Sequence, residues 1–296
     1  MIFEDVKKNK RKTVGIVLGF ILFITLFVYF VALWLFESTF FAVIIGLTVS
    51  IISAFSSYYN SDKIILSLNK ARIATKEEYA SLNNSLEGLC LAAGLPKPKL
   101  YIMEDSAMNA FATGRNPEHA IVCVTTGLLN RLDKYELEGV LAHELSHIKN
   151  YDILLSTIAI VMVGFVVILS DAFSRMMYYN TRDDDDNKGN AIIMMIGLIF
   201  IILAPIFGKL LQMALSRNRE YLADANAVEI TRNKEGLISA LKKISGDTEK
   251  LEQANKSCAS LYIVTPFVKE RKKVKDSLWS THPATENRIL ALQKIR

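Results

Sequence analysis

The sequence predicts a mainly α-helical membrane protein with a small β-sheet: four apolar, transmembrane helices, and a polar part in which helices and short strands carry the chemistry. Three observations carry that prediction. Apolar residues make up 51% of the 296 positions, with a mean hydropathy of +0.25, and they gather in four blocks. Between the blocks lie strand-like runs short enough for one small sheet. A helical pattern near the middle of the chain carries His143-Glu144-Leu145-Ser146-His147.

The first two blocks, 14–36 and 39–58, are separated only by Glu37 and Ser38 and form an apolar hairpin within residues 1–60. The later pair, 153–169 and 191–211, forms a second hairpin within 153–212, with Asp171 just past one block and Lys209 near the end of the other. Each reaches or nearly reaches the ~20 residues that a helix needs to cross a bilayer. The first block is too long, and too soon followed by a second span, for a cleaved signal peptide. Lys7, Lys8, Lys10, Arg11 and Lys12 precede the first span, and Lys63, Lys70 and Arg72 follow the second. The positive-inside bias therefore puts the amino terminus and the region from 59 onward in the cytoplasm. The 175–190 segment mixes Arg175, Arg182 and Lys188 with Asp183, Asp184, Asp185 and Asp186 and reads as an outside loop. Its aspartates read as a solvated turn, since they lack the spacing of calcium ligands.

The net charge of +5 is accounted for by juxtamembrane positions facing anionic lipid, so no nucleic-acid partner is called for. Cys90, Cys123 and Cys258 show no C-x-x-C spacing, which fits a reducing compartment and argues against a thiolate metal site.

The polar parts are 61–152 and 213–296, both on the cytoplasmic side. In the first, Ile64, Ile65 and Leu68 alternate with Lys63, Lys70 and Arg72 as in a connecting helix or one lying beside the membrane. Thr75 with Glu78 caps the next helix, whose Tyr79, Leu82, Leu86, Leu89 and Leu91 face a core and which ends at Gly94 and Pro96. Strands follow at 99–103, 108–113 and 120–125, with a turn at Asn116-Pro117 and a surface histidine, His119.

Asp133 and Glu136 then read as a capping box, and Leu137, Val140, Leu141 and Ile148 recur as a buried stripe. On that helix His143 and His147 stand one turn apart, with Cβ atoms roughly 6 Å from each other, so both can reach a single Zn²⁺ at about 2 Å. Glu144 projects beside the open coordination position, where it can take a proton from water. A catalytic zinc takes three protein ligands, one zinc per chain. Glu220, in the helical stretch 216–227, is the candidate third, with Asp224 one turn on to accept a ligand histidine's other ring N–H. The alternative is that both acids pair with Arg217 and Arg219 on a solvated helix. Two spans separate His147 from Glu220, an even number that returns the chain to the same membrane face. The 108–114 run is the candidate sheet edge on which substrate adds as a strand, through Asn109, Ala110 and Phe111; an internal strand is the alternative.

HELSH followed by Asn150 and Asp152, SRNREYLADANA, MNAFATG, and STHPATENRI at 280–289 together resemble the HtpX-type membrane metallopeptidases, relatives of the CAAX prenyl endopeptidases. The resemblance covers essentially the entire chain. It implies a gluzincin-like zinc peptidase domain with zinc on His143, His147 and Glu220 and with Glu144 as acid/base. It further implies a multi-pass protein of the bacterial cytoplasmic membrane, acting under stress on misfolded or unassembled membrane proteins. In the last motif, Ser280 or Thr281 is expected to cap a final helix with Pro283 in its first turn, and Arg288 to make an internal ion pair. His282 has two readings: a donor to the tetrahedral oxyanion or substrate backbone, or a structural histidine fixing that helix. The rivals are a prenyl-protein endopeptidase and a scaffold whose zinc only supports folding. An intramembrane peptidase is disfavoured, because Asp133, Lys134, Glu136 and Glu138 would have to enter hydrocarbon.

Overall fold

Two long helices open the chain, α1 (Ile2–Phe36) and α2 (Thr39–Leu68). The computed structural model describes residues 2–36, 39–75, 77–180, 217–252, 258, 260–264 and 283–295. The chain divides into two compact units. Arg11–Asn60 and Ile158–Ala214 form one, and Met1–Lys10, Ser61–Thr157 and Leu215–Arg296 form the other.

The stretches Val6–Tyr29 and Val43–Leu68, parts of α1 and α2 that lie mostly in the first of these units, are long and apolar enough to cross a membrane. Gly46 lets the two backbones approach, because a Cβ there would meet the Thr25 carbonyl oxygen at 2.9 Å. The Ser50 hydroxyl donates to the Leu47 carbonyl at 3.0 Å and accepts from the Thr25 hydroxyl at 2.8 Å, so these polar groups are satisfied without water. The third block, 153–169, is helical inside α6 (Asp152–Asn180), and Phe165 meets Phe20 edge-on at 5.8 Å. The fourth, 191–211, lies outside the described residues, as does most of the predicted outside loop.

The other unit is built on a mixed four-stranded sheet of order β1-β2-β4-β3. Its strands are β1 (Arg72–Ile73), β2 (Lys99–Met103), β3 (Ala110–Gly114) and β4 (Ala120–Thr125). β2 runs parallel to β4, with Ile102 opposite Val124; β3 pairs antiparallel with β4, Ala112 opposite Val122. The expected strands 99–103 and 120–125 are β2 and β4. The third starts two residues late, because the Met108 N–H is taken by Asp247 and the Asn109 N–H by Thr125 Oγ1. The expected helix over 62–72 is instead the end of α2, and Arg72–Ile73 turns into the sheet as β1 after Lys70 at φ 48°.

Between β1 and β2 runs α3 (Ala80–Ala93). Thr75 Oγ1 does accept the Glu78 N–H at 3.2 Å, yet the helix begins only at Ala80, because the Glu78 carboxylate is held by both Nη atoms of Arg72. Leu82, Leu86 and Leu89 are buried, but Leu91 is 80% exposed. Two residues beyond Leu89, it is rotated about 200° around the axis, and Cys90 and Ala93 point inward instead. Gly94 at φ 66° ends the helix, with Leu95 N–H returning to the Cys90 carbonyl at 3.0 Å.

After the short α4 (Thr126–Arg131) comes α5 (Lys134–Lys149), the central helix. Its capping box is complete: Asp133 Oδ1 accepts the N–H groups of Tyr135 and Glu136, and Glu136 Oε2 accepts the Asp133 N–H at 2.8 Å. Against it pack α7 (Arg217–Thr231) and α8 (Lys234–Gly246). Val140, Leu141, Leu145 and Ile148 of α5 join Leu237, Leu241 and Ile244 of α8, Val122 and Val124 of β4 and Leu86 of α3 in one core. The final helix, α9 (Thr285–Gln293), has Ala284 at its cap, with no side-chain capping bond. Pro283 therefore precedes the helix, correcting its expected place in the first turn, while Ser280, Thr281 and His282 lie outside the described residues.

Glu136 links the cap to α8, accepting from Ser239 Oγ at 2.6 Å and Lys243 Nζ at 2.7 Å. Burial alone would raise its carboxyl, but the bonds from Lys243, Ser239 and the Asp133 N–H outweigh that and hold it below the ordinary range. Glu136→Ala is expected to lower stability by about 1–3 kcal/mol, read as an earlier thermal midpoint in detergent. Because the folded-state pKa is depressed, this contribution is present at neutral pH and is lost as pH falls through the folded value. The gap to wild type therefore narrows below about pH 4. Equal midpoints at neutral pH, or a gap widening on acidification, would contradict this.

Candidate metal centre

α5 brings His143 and His147 together on one face, ring centroids 4.7 Å apart and Nε2 atoms 3.2 Å apart. α7 lies against that face because Ala223 and Ala227 are small and buried, and Asn226 Nδ2 donates across to Ser146 Oγ at 2.9 Å. Glu220 is thereby placed with Oε2 3.7 Å from His143 Nε2 and Oε1 3.5 Å from His147 Nε2. One ligand atom from each of the three lies within 4.8 Å of the others. Ligands at tetrahedral positions 2.0–2.1 Å from a zinc stand roughly 3.3 Å apart, so the spacing and the two-nitrogen, one-oxygen donor set fit that ion. The solvated ion-pair alternative for Glu220 does not describe this site, since its side chain is turned inward and only 8% of the residue is exposed.

Each histidine is aimed by its own carboxylate. His143 Nδ1 lies 3.0 Å from Asp224 Oδ1, and His147 Nδ1 lies 3.0 Å from Asp152 Oδ2 at the start of α6. With Nδ1–H donated to a carboxylate, each Nε2 keeps its lone pair for the shared point. Asp224 is in turn gripped at both oxygens by Arg288 of α9, Nε at 2.8 Å and Nη2 at 2.6 Å. Arg288 is fully buried, gives Nη1 to the Ile263 carbonyl at 3.1 Å and sits 3.5 Å from Glu220 Oε2. Asp152 Oδ1 is held by Arg219 Nη1 at 3.1 Å.

These charges set the electrostatics. Burial and the Arg288 charge would lower His143, but its bonds to Asp224 and Glu220 outweigh them and raise it to about 9. Burial likewise opposes ionisation of Asp224, and the Arg288 guanidinium overrides it, keeping that carboxylate below its usual range. Glu144 goes the other way: burial pushes its carboxyl up, against the pull of His143 and His147. A carboxyl raised in this way is a stronger base than one in open solvent.

His143, His147, Glu220, Glu144 and Asp152 line one cleft with Ala112, Arg219 and residues 260–263. Of the candidate substrate residues, Asn109 is buried and donates Nδ2 to the Val264 carbonyl at 3.0 Å. The Ala110 carbonyl accepts from Ile263 N–H at 3.1 Å, and Phe111 meets Tyr262 edge-on at 5.6 Å. β3 is thus an edge strand of the sheet, but at these three positions its outer side is taken by the 260–264 segment; Ala112 reaches the cleft instead. His282 lies outside the described residues. Sequence reasoning misses the role of Asp152, for which its position just past the helix end is the available signal. The internal ion pair expected of Arg288 is present, with Asp224 as its partner.

Known proteins resemble this chain along its length. The model of the family described as Peptidase family M48 matches residues 76–296. The chain is 44% identical over 306 residues to a protein named Protease HtpX homolog from Listeria monocytogenes, covering 100% of both. It is 47% identical over 292 residues to the Protease HtpX homolog of Dictyoglomus thermophilum, covering 98% of this chain and 94% of the relative. The crystal structure of S. mikatae Ste24p is similar with a TM-score of 0.51 at 20% identity. That match spans 98% of this chain and 66% of the other, and bears on the fold alone. With the family match running to the last residue and relatives this similar end to end, the chain belongs to peptidase family M48.

Proposed function

We propose that the chain is a membrane-bound zinc endopeptidase, holding one zinc on His143 Nε2, His147 Nε2 and Glu220, and that it cleaves misfolded or unassembled membrane proteins. The observation that carries this reading is the convergence of those three side chains within 4.8 Å beside the buried Glu144. The curated relatives' name, a protease, supports the reaction. Zinc bound there would supply Lewis acidity toward water and the scissile carbonyl. Everything else falls to the chain's own residues. Asp224 and Asp152 fix the imidazole tautomers, and Arg288 and Arg219 fix the two aspartates. The Glu144 carboxylate takes the proton of the attacking water and returns it to the departing amine nitrogen.

Substrate backbone is read along β3 at Ala112. The Ala110 carbonyl points away from β4 toward Ile263, so two residues on, at Ala112, the backbone groups face the same outer side, which opens on the cleft. This moves the point of contact from the 109–111 run to its neighbour. The basic residues at 7–12 and at 63–72 support a cytoplasm-facing site in the bacterial cytoplasmic membrane, with the peptidase part made by 61–152 and 213–296.

Detergent-purified variants assayed on an unfolded protein, with metal content measured on each, separate these roles. Glu144→Gln is expected to keep one zinc and lose about 10²–10⁴ in turnover; normal turnover would remove Glu144 from the chemistry. Glu220→Ala should lose zinc on dialysis, and unchanged zinc content would contradict its place as ligand. Ala112→Pro, which deletes the outward N–H, should raise KM with zinc retained; an unchanged KM would move substrate elsewhere. Added protease should cut 61–152 in inside-out vesicles only, and the opposite pattern would reverse the orientation. A requirement for a prenylated carboxy terminus would favour the prenyl-protein reading.

A further inference from the structure

The amino-terminal turns of α1 belong to the same compact unit as the metal centre, since that unit includes Met1–Lys10. One residue there, Asn9, is buried although its neighbours Lys8 and Lys10 are exposed. Its Nδ2 lies 2.7 Å from Asp152 Oδ1 and 3.0 Å from the Asn150 carbonyl. Both facing atoms are acceptors, so the amide can present only its NH₂ edge to them. Next to it, Lys10 Nζ stands 4.1 Å over the Tyr151 ring. The amino-terminal segment therefore touches all three residues of the elbow between α5 and α6: Asn150, Tyr151 and Asp152. That elbow is strained, since Tyr151 has φ 59°, a conformation that side-chain-bearing residues rarely adopt.

Resting on the reading of His147 as a zinc ligand, we propose that Asn9 is a positioning residue for His147, acting through Asp152. A carboxylate rotates about its last bond unless both oxygens are engaged. Asp152 Oδ1 is engaged by Asn9 from α1 and by Arg219 from α7, which leaves Oδ2 directed at His147 Nδ1, 3.0 Å away. Removing the Asn9 donor leaves Oδ1 to Arg219 alone, which loosens the carboxylate and with it the tautomer and orientation of the imidazole. The Asn150 carbonyl contact adds to this, because it holds the last turn of the ligand helix against the residue that aims the ligand. The metal site is thus assembled from α5, α7, α9 and the first turns of the membrane helix α1, and its competence depends on that amino-terminal segment.

The test uses full-length protein in detergent, with zinc affinity measured by competition with a chelating dye. Asn9→Asp keeps the size of the side chain but sets an acceptor against Asp152, and it is expected to weaken zinc binding 10- to 100-fold, as outer-shell partners do. Asn9→Ala should weaken it by a similar or smaller factor, and Lys8→Ala, on the same turn, should leave it within twofold. In the Asp152→Ala background, Asn9→Asp should have no further effect, because its route to His147 is already cut. Wild-type-like affinity in Asn9→Asp, or losses that multiply in the double variant, would overturn the proposal. If Asn9→Asp lowers the thermal midpoint with unchanged zinc affinity, the role is structural and the proposal fails. Failure of wild type itself to bind zinc, with Glu220→Ala indistinguishable from it, would instead remove the metal reading on which this one rests.

Discussion

The interaction on which the structure turns is the convergence of His143, His147 and Glu220, which holds one nitrogen or oxygen atom from each within 4.8 Å of the others in a largely buried place. Two imidazole nitrogens 3.2 Å apart and an acidic oxygen beside them would scatter if left to their own rotamers. What prevents this is a layered set of charge-assisted bonds. Asp224 and Asp152 hold the histidines, and Arg288, Arg219 and Asn9 hold the aspartates. The charges alternate outward from the site, so that buried carboxylates and the buried Arg288 guanidinium compensate one another. Breaking such a set at one member leaves an uncompensated buried charge, which costs far more than a surface pair.

The apolar packing is arranged to deliver those groups. α5 lies at the centre of the core because its Val140, Leu141, Leu145 and Ile148 are shared between the sheet and α8. Gly139 and Gly236 let α5 and α8 come close: a Cβ on Gly236 would meet the Tyr135 carbonyl oxygen at 2.5 Å, and one on Gly139 would meet Leu237 Cα at 2.9 Å. α7 is fitted to the other side by small residues, and α9 carries Arg288 over the site from beyond. Such close approach leaves little room for α5, and with it His143 and His147, to shift.

Local features of the sequence were legible because their physics is local. The i, i+4 spacing of His143 and His147, the reciprocal cap of Asp133 and Glu136, the glycine stop at Gly94 and the short strand-like runs of β2 and β4 are each decided within a few residues. The failures share the opposite cause. Thr75 and Glu78 carry a sound capping signal, but Arg72 competes for the glutamate and the helix starts later. Leu91 is apolar at a plausible spacing from some neighbours, yet lies on the solvent side of its helix. Arg288 and Asn9 act across long separations in the chain, Arg288 on Asp224 and Asn9 on Asp152, and no spacing rule announces such pairs. The candidate substrate strand falls between: β3 is an edge strand, as one of its two sequence readings has it, whereas no local pattern announces the 260–264 segment that lies against it.

X-ray absorption at the zinc edge, on protein purified without added metal, tests the central claim most directly. The account predicts one zinc per chain bound by two imidazole nitrogens at about 2.0–2.1 Å and a carboxylate oxygen at about 2.0–2.2 Å. A shell with sulfur in it, or with fewer than two imidazoles, would contradict it.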